Sequence, residues 1–240
     1  QIRRIKAAVA VPVIGSLNGS TLGGWLQYAA LIEQAGADAL ELNLYAIPTN
    51  LAESAAVVEQ RAIDLVRAVV AQVTIPVAVK LSPWYSSFGN FAAQVDQAGA
   101  QVLVIFNRFY QADIDPDGLA VRPRLTLSQS AELLPRLTWL AILSGRVTAS
   151  LAVTGGVHTA RDGLKAVMAG ADAVQMVSAL LEHGPERLGL VVDGFRRWLV
   201  EREYQSLKQL RGSMNIARCP DPSGFERSQY LNVLQSWRSR

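Results

Sequence analysis

Apolar residues in this chain come in short unbroken runs separated by amphipathic stretches. Three passages share one plan: EQAGADALEL (33–42), DQAGAQVLVI (96–105) and VMAGADAVQM (167–176) each pass from a helix-like segment through a glycine into an apolar run of strand length. Gly36, Gly99 and Gly170 stand where a helix terminus takes a left-handed residue. The runs VPVIGSL (11–17), IPVAVKLS (75–82) and SLAVTGG (150–156) predict further strands, and VQMVSALL (174–181) prolongs the strand of the third repeat. Because these runs lack polar alternation, they suit parallel strands covered on both faces. Helical periodicity falls between them, over 23–35, 53–73, 87–98, 130–145, 160–169 and 185–204. The sum is six βα units in series.

Such a series closes into a (β/α)8 barrel or opens into a doubly wound sheet. Nearly every strand here ends in polar or glycine-rich residues: Ser16 and Asn18, Asn43, Lys80 and Ser82, Asn107, Thr154 to Gly156, and Ser178. A barrel gathers all such ends at one mouth, whereas an open sheet uses only those at its switch point, so the pattern favours the barrel. A barrel of eight units leaves two to be found. The chain opens at Gln1 in a basic, helix-like segment, and the expectation is that the first two units are missing from it. Residues 1–204 are then barrel, and 205–240 form an extension packed on the barrel or on a partner.

Half of the 240 residues are hydrophobic, enough for one large core, and the formal charge is only +3. The basic residues are scattered, so no nucleic-acid partner is implied. Cys219 is the single cysteine, and His158 and His183 are the only histidines, which argues against disulfides within the chain and against a Cys or His metal centre. No apolar run approaches the roughly 20 residues that span a bilayer, and the expectation is a cytoplasmic protein without a membrane partner.

Within this frame several residues carry chemical potential. Gly155 and Gly156 in TGGV (154–157) let backbone N–H groups approach a phosphate, although two glycines also make an ordinary tight turn. Lys80 sits inside an apolar run, where its charge needs an anionic partner unless it reaches solvent along its stem. Asn43 and Asn107 end strands, where amides can orient a planar heterocycle or simply satisfy backbone groups. Arg108 suits a carboxylate or phosphate, and equally a surface ion pair. His158 reads as decorating or capping the helix after TGGV, and His183 as the end of an element before Pro185. Trp84 and Tyr85 read as packing beside a Pro turn.

Taken together, ELNL (41–44), PVAVKLSP (76–83), the FN step (106–107), DIDP (113–116), TGGV (154–157) and VQMVSALLEHGP (174–185) resemble the dihydroorotate dehydrogenase family of FMN-containing (β/α)8 barrels. The match runs in order from about residue 11 to residue 210, and is nearest to the dihydroorotate dehydrogenase-like branch found in bacteria, including cyanobacteria. The resemblance implies that the six units correspond to the family's third to eighth. It implies FMN as cofactor, with Lys80 beside the flavin N1/O2 edge and Asn43 shared by flavin and substrate. It makes Asn18, Asn107 and Arg108 further substrate contacts, and Thr154, Gly155, Gly156 and Ser178 the phosphate cradle. An anionic small molecule is the implied substrate.

Three departures bear on the reaction. Ala46 stands where the family's cysteine base is expected, leaving Tyr45 as a weak catalytic candidate beside Ser86 and Ser87. LTLSQS (125–130) replaces a glycine-rich loop, with Ser128 retained, and Arg108 replaces a small hydroxyl residue. The leading expectation is therefore an FMN-dependent oxidoreductase whose substrate differs from dihydroorotate. One alternative is a sugar-phosphate isomerase or aldolase, with Lys80 forming a Schiff base. The other is a non-catalytic ligand-binding or interaction subunit. It would dock through the tail bearing Gly212, Pro220, Pro222, Gly224, Phe225, Tyr230 and Trp237, or pair as a homodimer.

Overall fold

The computed structural model describes residues 1–108, 112–226 and 230–236, with the side chains of 231 and 232 left aside. It divides into two compact units, the first comprising 1–126 with 147–154 and the second 127–146 with 155–240.

Unit 1 is built on five parallel strands, β1 (Ile14–Leu17), β2 (Ala39–Asn43), β3 (Val77–Leu81), β4 (Val102–Ile105) and β7 (Ser150–Thr154), paired in that order. Helices α1 (Ile2–Ala8), α2 (Leu22–Gln34), α3 (Ala55–Gln72) and α4 (Phe88–Gln97) belong to the same unit. Thr21 and Ser54 start α2 and α3 by accepting the Gly24 and Val57 N–H groups, which satisfies donors that a helix start leaves open. Leu40, Leu42, Val77, Val79, Leu81, Leu103, Ile105 and Val153 lie buried on one face of the sheet. The register puts a different set on the other face: Ser16, Glu41 and Ala78 in one row, Asn43, Lys80, Val104 and Ala152 in the next. Ala78, Val104 and Ala152 pack together there, with Val102 against them.

The repeated αβ joints have a mechanism. Gly36, Gly99 and Gly170 adopt φ of 88°, 100° and 129°, the left-handed region. Three residues before its glycine, Glu33 accepts hydrogen bonds from the N–H groups of Thr74 and Ile75 and from the Thr74 hydroxyl, ahead of β3. Asp96, in the same place of the second repeat, does this for Thr148 and Ala149 ahead of β7. The carboxylate ties each helix end to the strand entering beyond it. In the third repeat Val167 takes that place, and its carbonyl accepts the Gly212 N–H instead.

Unit 2 contains a 3₁₀ turn (Ser130–Leu133) leading into α5 (Leu134–Leu143), then α6 (Ala160–Ala169), β8 (Ala173–Gln175), α7 (Ser178–His183), α8 (Glu186–Glu201), α9 (Leu207–Leu210), a second 3₁₀ turn (Pro222–Phe225) and α10 (Tyr230–Gln235). Leu164, Val167 and Leu210 form its core with Phe195, Trp198 and Tyr204. The segment after α9 returns to α5 and α6: Gly212, Met214 and Ile216 donate backbone hydrogen bonds to Val167, Met168 and Ala141. Asn215 adds a 3.2 Å bond to the Ser144 hydroxyl. Trp237 lies outside the described residues.

Three local expectations change. The strand expected over 174–181 stops at Gln175, and Ser178–His183 is helical. SALLEH contains good helix formers, and an apolar run does not by itself separate strand from buried helix. The helix expected over 130–145 begins as a 3₁₀ turn and becomes α-helical only around Pro135. The loop after β4 carries an antiparallel hairpin absent from the βα series, β5 (Ala112–Asp115) with β6 (Ala120–Pro123). Asp115 closes its turn by accepting the Asp117 and Gly118 N–H groups.

The joints yield a graded prediction. Space is open around a Cβ at Gly36, so Gly36→Ala costs about 1–2 kcal/mol from φ alone. At Gly99 the same Cβ would meet Val70 Cγ1 at 2.9 Å, so Gly99→Ala costs more. Urea unfolding of the two variants checks the order.

Candidate active site

The parallel register of unit 1 sets Glu41 between Ser16 and Ala78, and Asn43 beside Lys80. Glu41 is 5% exposed. Its Oε1 accepts the Lys80 ammonium at 2.7 Å and the Ser16 hydroxyl at 2.8 Å. Asn43, half-buried two residues on, accepts the side-chain amide of Asn107 through its own side-chain oxygen. Its backbone carbonyl accepts Asn18 Nδ2 at 3.0 Å and the Tyr45 N–H at 2.9 Å. Asn107 is held in turn by its N–H, which donates to the Leu81 carbonyl at 2.7 Å. One face of the sheet thus ends in an ion pair of a buried carboxylate and a half-buried lysine, beside three amides.

Glu41 was missed from sequence, yet it left a signal. In ALELN the polar residues Glu41 and Asn43 stand two apart, so a strand turns both to one face, and Lys80 required an anion. Arg108 is half-buried and follows Asn107 in the chain, next to residues outside the description. Among the base candidates, Tyr45 is half-buried while Ala46, Ser86 and Ser87 are exposed. Tyr85 stacks on Phe91 at 3.9 Å between ring centroids. Burial, and then the charge of Glu59, push its phenol up to about 12, so it stays neutral and packs as expected.

In unit 2 the turn after Thr154 collects a second polar group. Gly155 and Gly156 both have φ of 81°. A Cβ on Gly156 would stand 2.4 Å from the Leu133 backbone nitrogen, so only glycine fits. The Gly156 N–H donates to Ser128 Oγ at 3.3 Å, Ser128 Oγ lies 3.1 Å from His158 Nε2, and the Ser128 N–H donates to Ser178 Oγ at 3.0 Å. Ser128 and His158 are both buried. Ser128 thereby joins three loops, and the His158 ring has a place that its reading as decoration for the next helix did not give it. The backbone half of that reading holds, since the His158 N–H donates to Asp162, the capping-box carboxylate of α6.

Burial works to raise the Asp162 carboxyl, but hydrogen bonds from the Ser130 and Thr159 hydroxyls and from the His158 and Thr159 N–H groups outweigh it and hold it below the usual aspartate range. Among the described residues no group of three His, Cys, Asp or Glu side chains could hold a metal ion, and no helix is long and apolar enough to cross a membrane.

No protein-family model matches the chain. It is 30% identical over 214 residues to an Aeropyrum pernix protein assigned as dihydroorotate dehydrogenase A (fumarate), which spans 85% of this chain and 67% of the relative. It is 29% identical over 209 residues to the catalytic subunit of dihydroorotate dehydrogenase B (NAD(+)) of Shouchella clausii, with 84% and 68% covered. The Geobacillus kaustophilus protein of the same name is 32% identical over 176 residues, 70% of this chain and 56% of the relative.

Two predictions arise from these clusters. Removing Lys80 takes the cation from the buried Glu41 carboxylate, so Lys80→Met destabilises by about 3 kcal/mol, and Glu41→Gln, which leaves a half-buried lysine, destabilises by less. The double variant loses less than the sum, which denaturant unfolding of the full cycle checks. For Asp162, a depressed pKa means that its contribution is present above the unfolded value of about 4 and is lost as pH falls through the folded one. Asp162→Asn therefore destabilises by about 1–2 kcal/mol at pH 7, and its deficit against the parent shrinks below about pH 4, as unfolding curves at both pH values would record.

Proposed function

The chain belongs to the dihydroorotate dehydrogenase family, and we propose that it is an FMN-dependent oxidoreductase acting on a small, planar, anionic substrate. Its strands β1 to β4, β7 and β8, each followed in the chain by a helix, are those of a (β/α)8 barrel. The observation that carries the proposal is the polar face of the unit 1 sheet, where Lys80, bound to Glu41, lies beside Asn43 with its Asn18 and Asn107 partners.

The residues present fit the cofactor in their chemistry. Side-chain amides of Asn43 and Asn107 offer donors and acceptors to the edge of a heterocycle, and Lys80 brings a positive charge that Glu41 holds in place. In unit 2 the Ser128 and Ser178 hydroxyls gather at the glycine turn, and Ser178 Oγ, which accepts the Ser128 N–H, keeps a hydroxyl proton to donate to a phosphate. FMN, when bound, supplies a hydride acceptor. What the chain must add is removal of a proton from the substrate. There Ala46 offers only a methyl group in place of the base that the family resemblance implies, and the half-buried Tyr45 beside it is the one weak candidate. Dihydroorotate, named for the relatives, is on this reading a poor substrate.

The aldolase alternative is weaker for a physical reason. A Schiff-base lysine attacks as a free amine, whereas Lys80 Nζ is 2.7 Å from a buried carboxylate. The docking-tail alternative loses residues 212–216, whose backbone is bound to α5 and α6.

Titration with FMN followed by its visible spectrum is the first test, and a bound flavin with shifted bands is expected. Anaerobic reduction of that flavin by dihydroorotate should run on the order of 10²–10⁴-fold below a family member with its base, and Ala46→Cys should raise it. Absence of flavin uptake would overturn the oxidoreductase reading, and full-rate reduction by the parent chain would overturn the missing base.

A further inference from the structure

We infer that Arg136 is the charge-compensating residue for the phosphate of FMN, lying against the Gly155 turn of unit 2 and making the site selective for the phosphorylated flavin. The inference rests on the FMN reading above and deepens it. Arg136 interrupts the apolar run LLPRLTWL of α5, and the residue is 7% exposed. Its Nη1 donates to the Glu132 carbonyl one turn earlier. The guanidinium also packs on Gly155: a Cβ there would stand 2.8 Å from Nη2, 3.1 Å from Cζ and 3.2 Å from Nε. Gly155 is required by its φ of 81°, and the arginine lies against it.

The chemistry of the cluster explains the placement. The Gly156 N–H, Ser128 and Ser178, now bonded to one another, are neutral groups, and a phosphate exchanged into their network would keep a charge of nearly two uncompensated. A guanidinium remains charged at any working pH and presents planar, forked donors matched to phosphate oxygens. Seated under the turn and screened from water, it acts on an anion held by the turn with far less attenuation than a surface cation. Riboflavin, which shares the ring and lacks the phosphate, gains nothing from it.

The experiment compares FMN and riboflavin dissociation constants, by flavin fluorescence, for the parent chain, Arg136→Lys and Arg136→Gln. Losing a charge-assisted bond to a buried anion is expected to weaken FMN about 10- to 100-fold in Arg136→Gln and to leave riboflavin within about threefold. Arg136→Lys keeps the charge but not the fork, and should lose FMN by about 3- to 10-fold with riboflavin unchanged. If Arg136→Gln fails to fold, the lysine variant alone decides. Equal losses of both flavins, or no loss of FMN, would overturn the assignment. Should the parent chain bind neither flavin, the FMN reading fails separately, and inorganic phosphate becomes the probe. Phosphate raising the melting temperature of the parent but not of the variants then supports the role of Arg136 as an anion site, and an equal response or none contradicts it.

Discussion

An ion pair governs what unit 1 can do. Lys80 lies in a strand whose neighbours are apolar, and its charge is tolerated because the parallel register of β2 and β3 brings Glu41 within 2.7 Å. That register follows from the αβ joints, where left-handed glycines turn the chain and the Glu33 and Asp96 carboxylates tie helix ends to incoming strands. A slip of one residue would send Glu41, Asn43 and Lys80 to the face packed with Leu40, Val79 and Ile105. The polar face and the core are thus two consequences of one alignment.

Much of this alignment is legible in the amino-acid sequence because it is written locally. The three glycine joints, the Val/Ile-Pro strand starts and the intervening helical periodicity each lie within a dozen residues, and the helices end within a few positions of where the pattern puts them. Lys80, Asn43 and Asn107 stand out for a related reason, being polar residues in apolar surroundings. What escaped is tertiary. Glu41 looks like one more strand residue until β3 is laid beside it, and Ser128 and His158 meet only when loops thirty residues apart close on each other. Arg136 resembles a surface residue of an amphipathic helix until Gly155 is seen against it. The hairpin at 112–123 differs in that its signal is local: DPDG (115–118) is a turn sequence, but it overlaps DIDP (113–116) and the flanking strands are short and exposed.

On the proposed reading, family membership and reaction separate at one loop. The relatives carry names that share dihydroorotate and differ in electron acceptor, fumarate in one and NAD(+) in another. This chain keeps the amides, the lysine and the glycine turn that a flavin and a flat ligand would use, while the loop after β2 presents Ala46 to solvent. A barrel can retain its binding chemistry and change its proton chemistry, because the two reside on different groups.

The most direct measurement is a crystal structure of the chain grown with FMN. Flavin is expected with its ring edge on Lys80 and Asn43 and with the Glu41–Lys80 pair intact. Flavin whose ring lies away from Lys80, or a Lys80 that has left Glu41 for solvent, would contradict this.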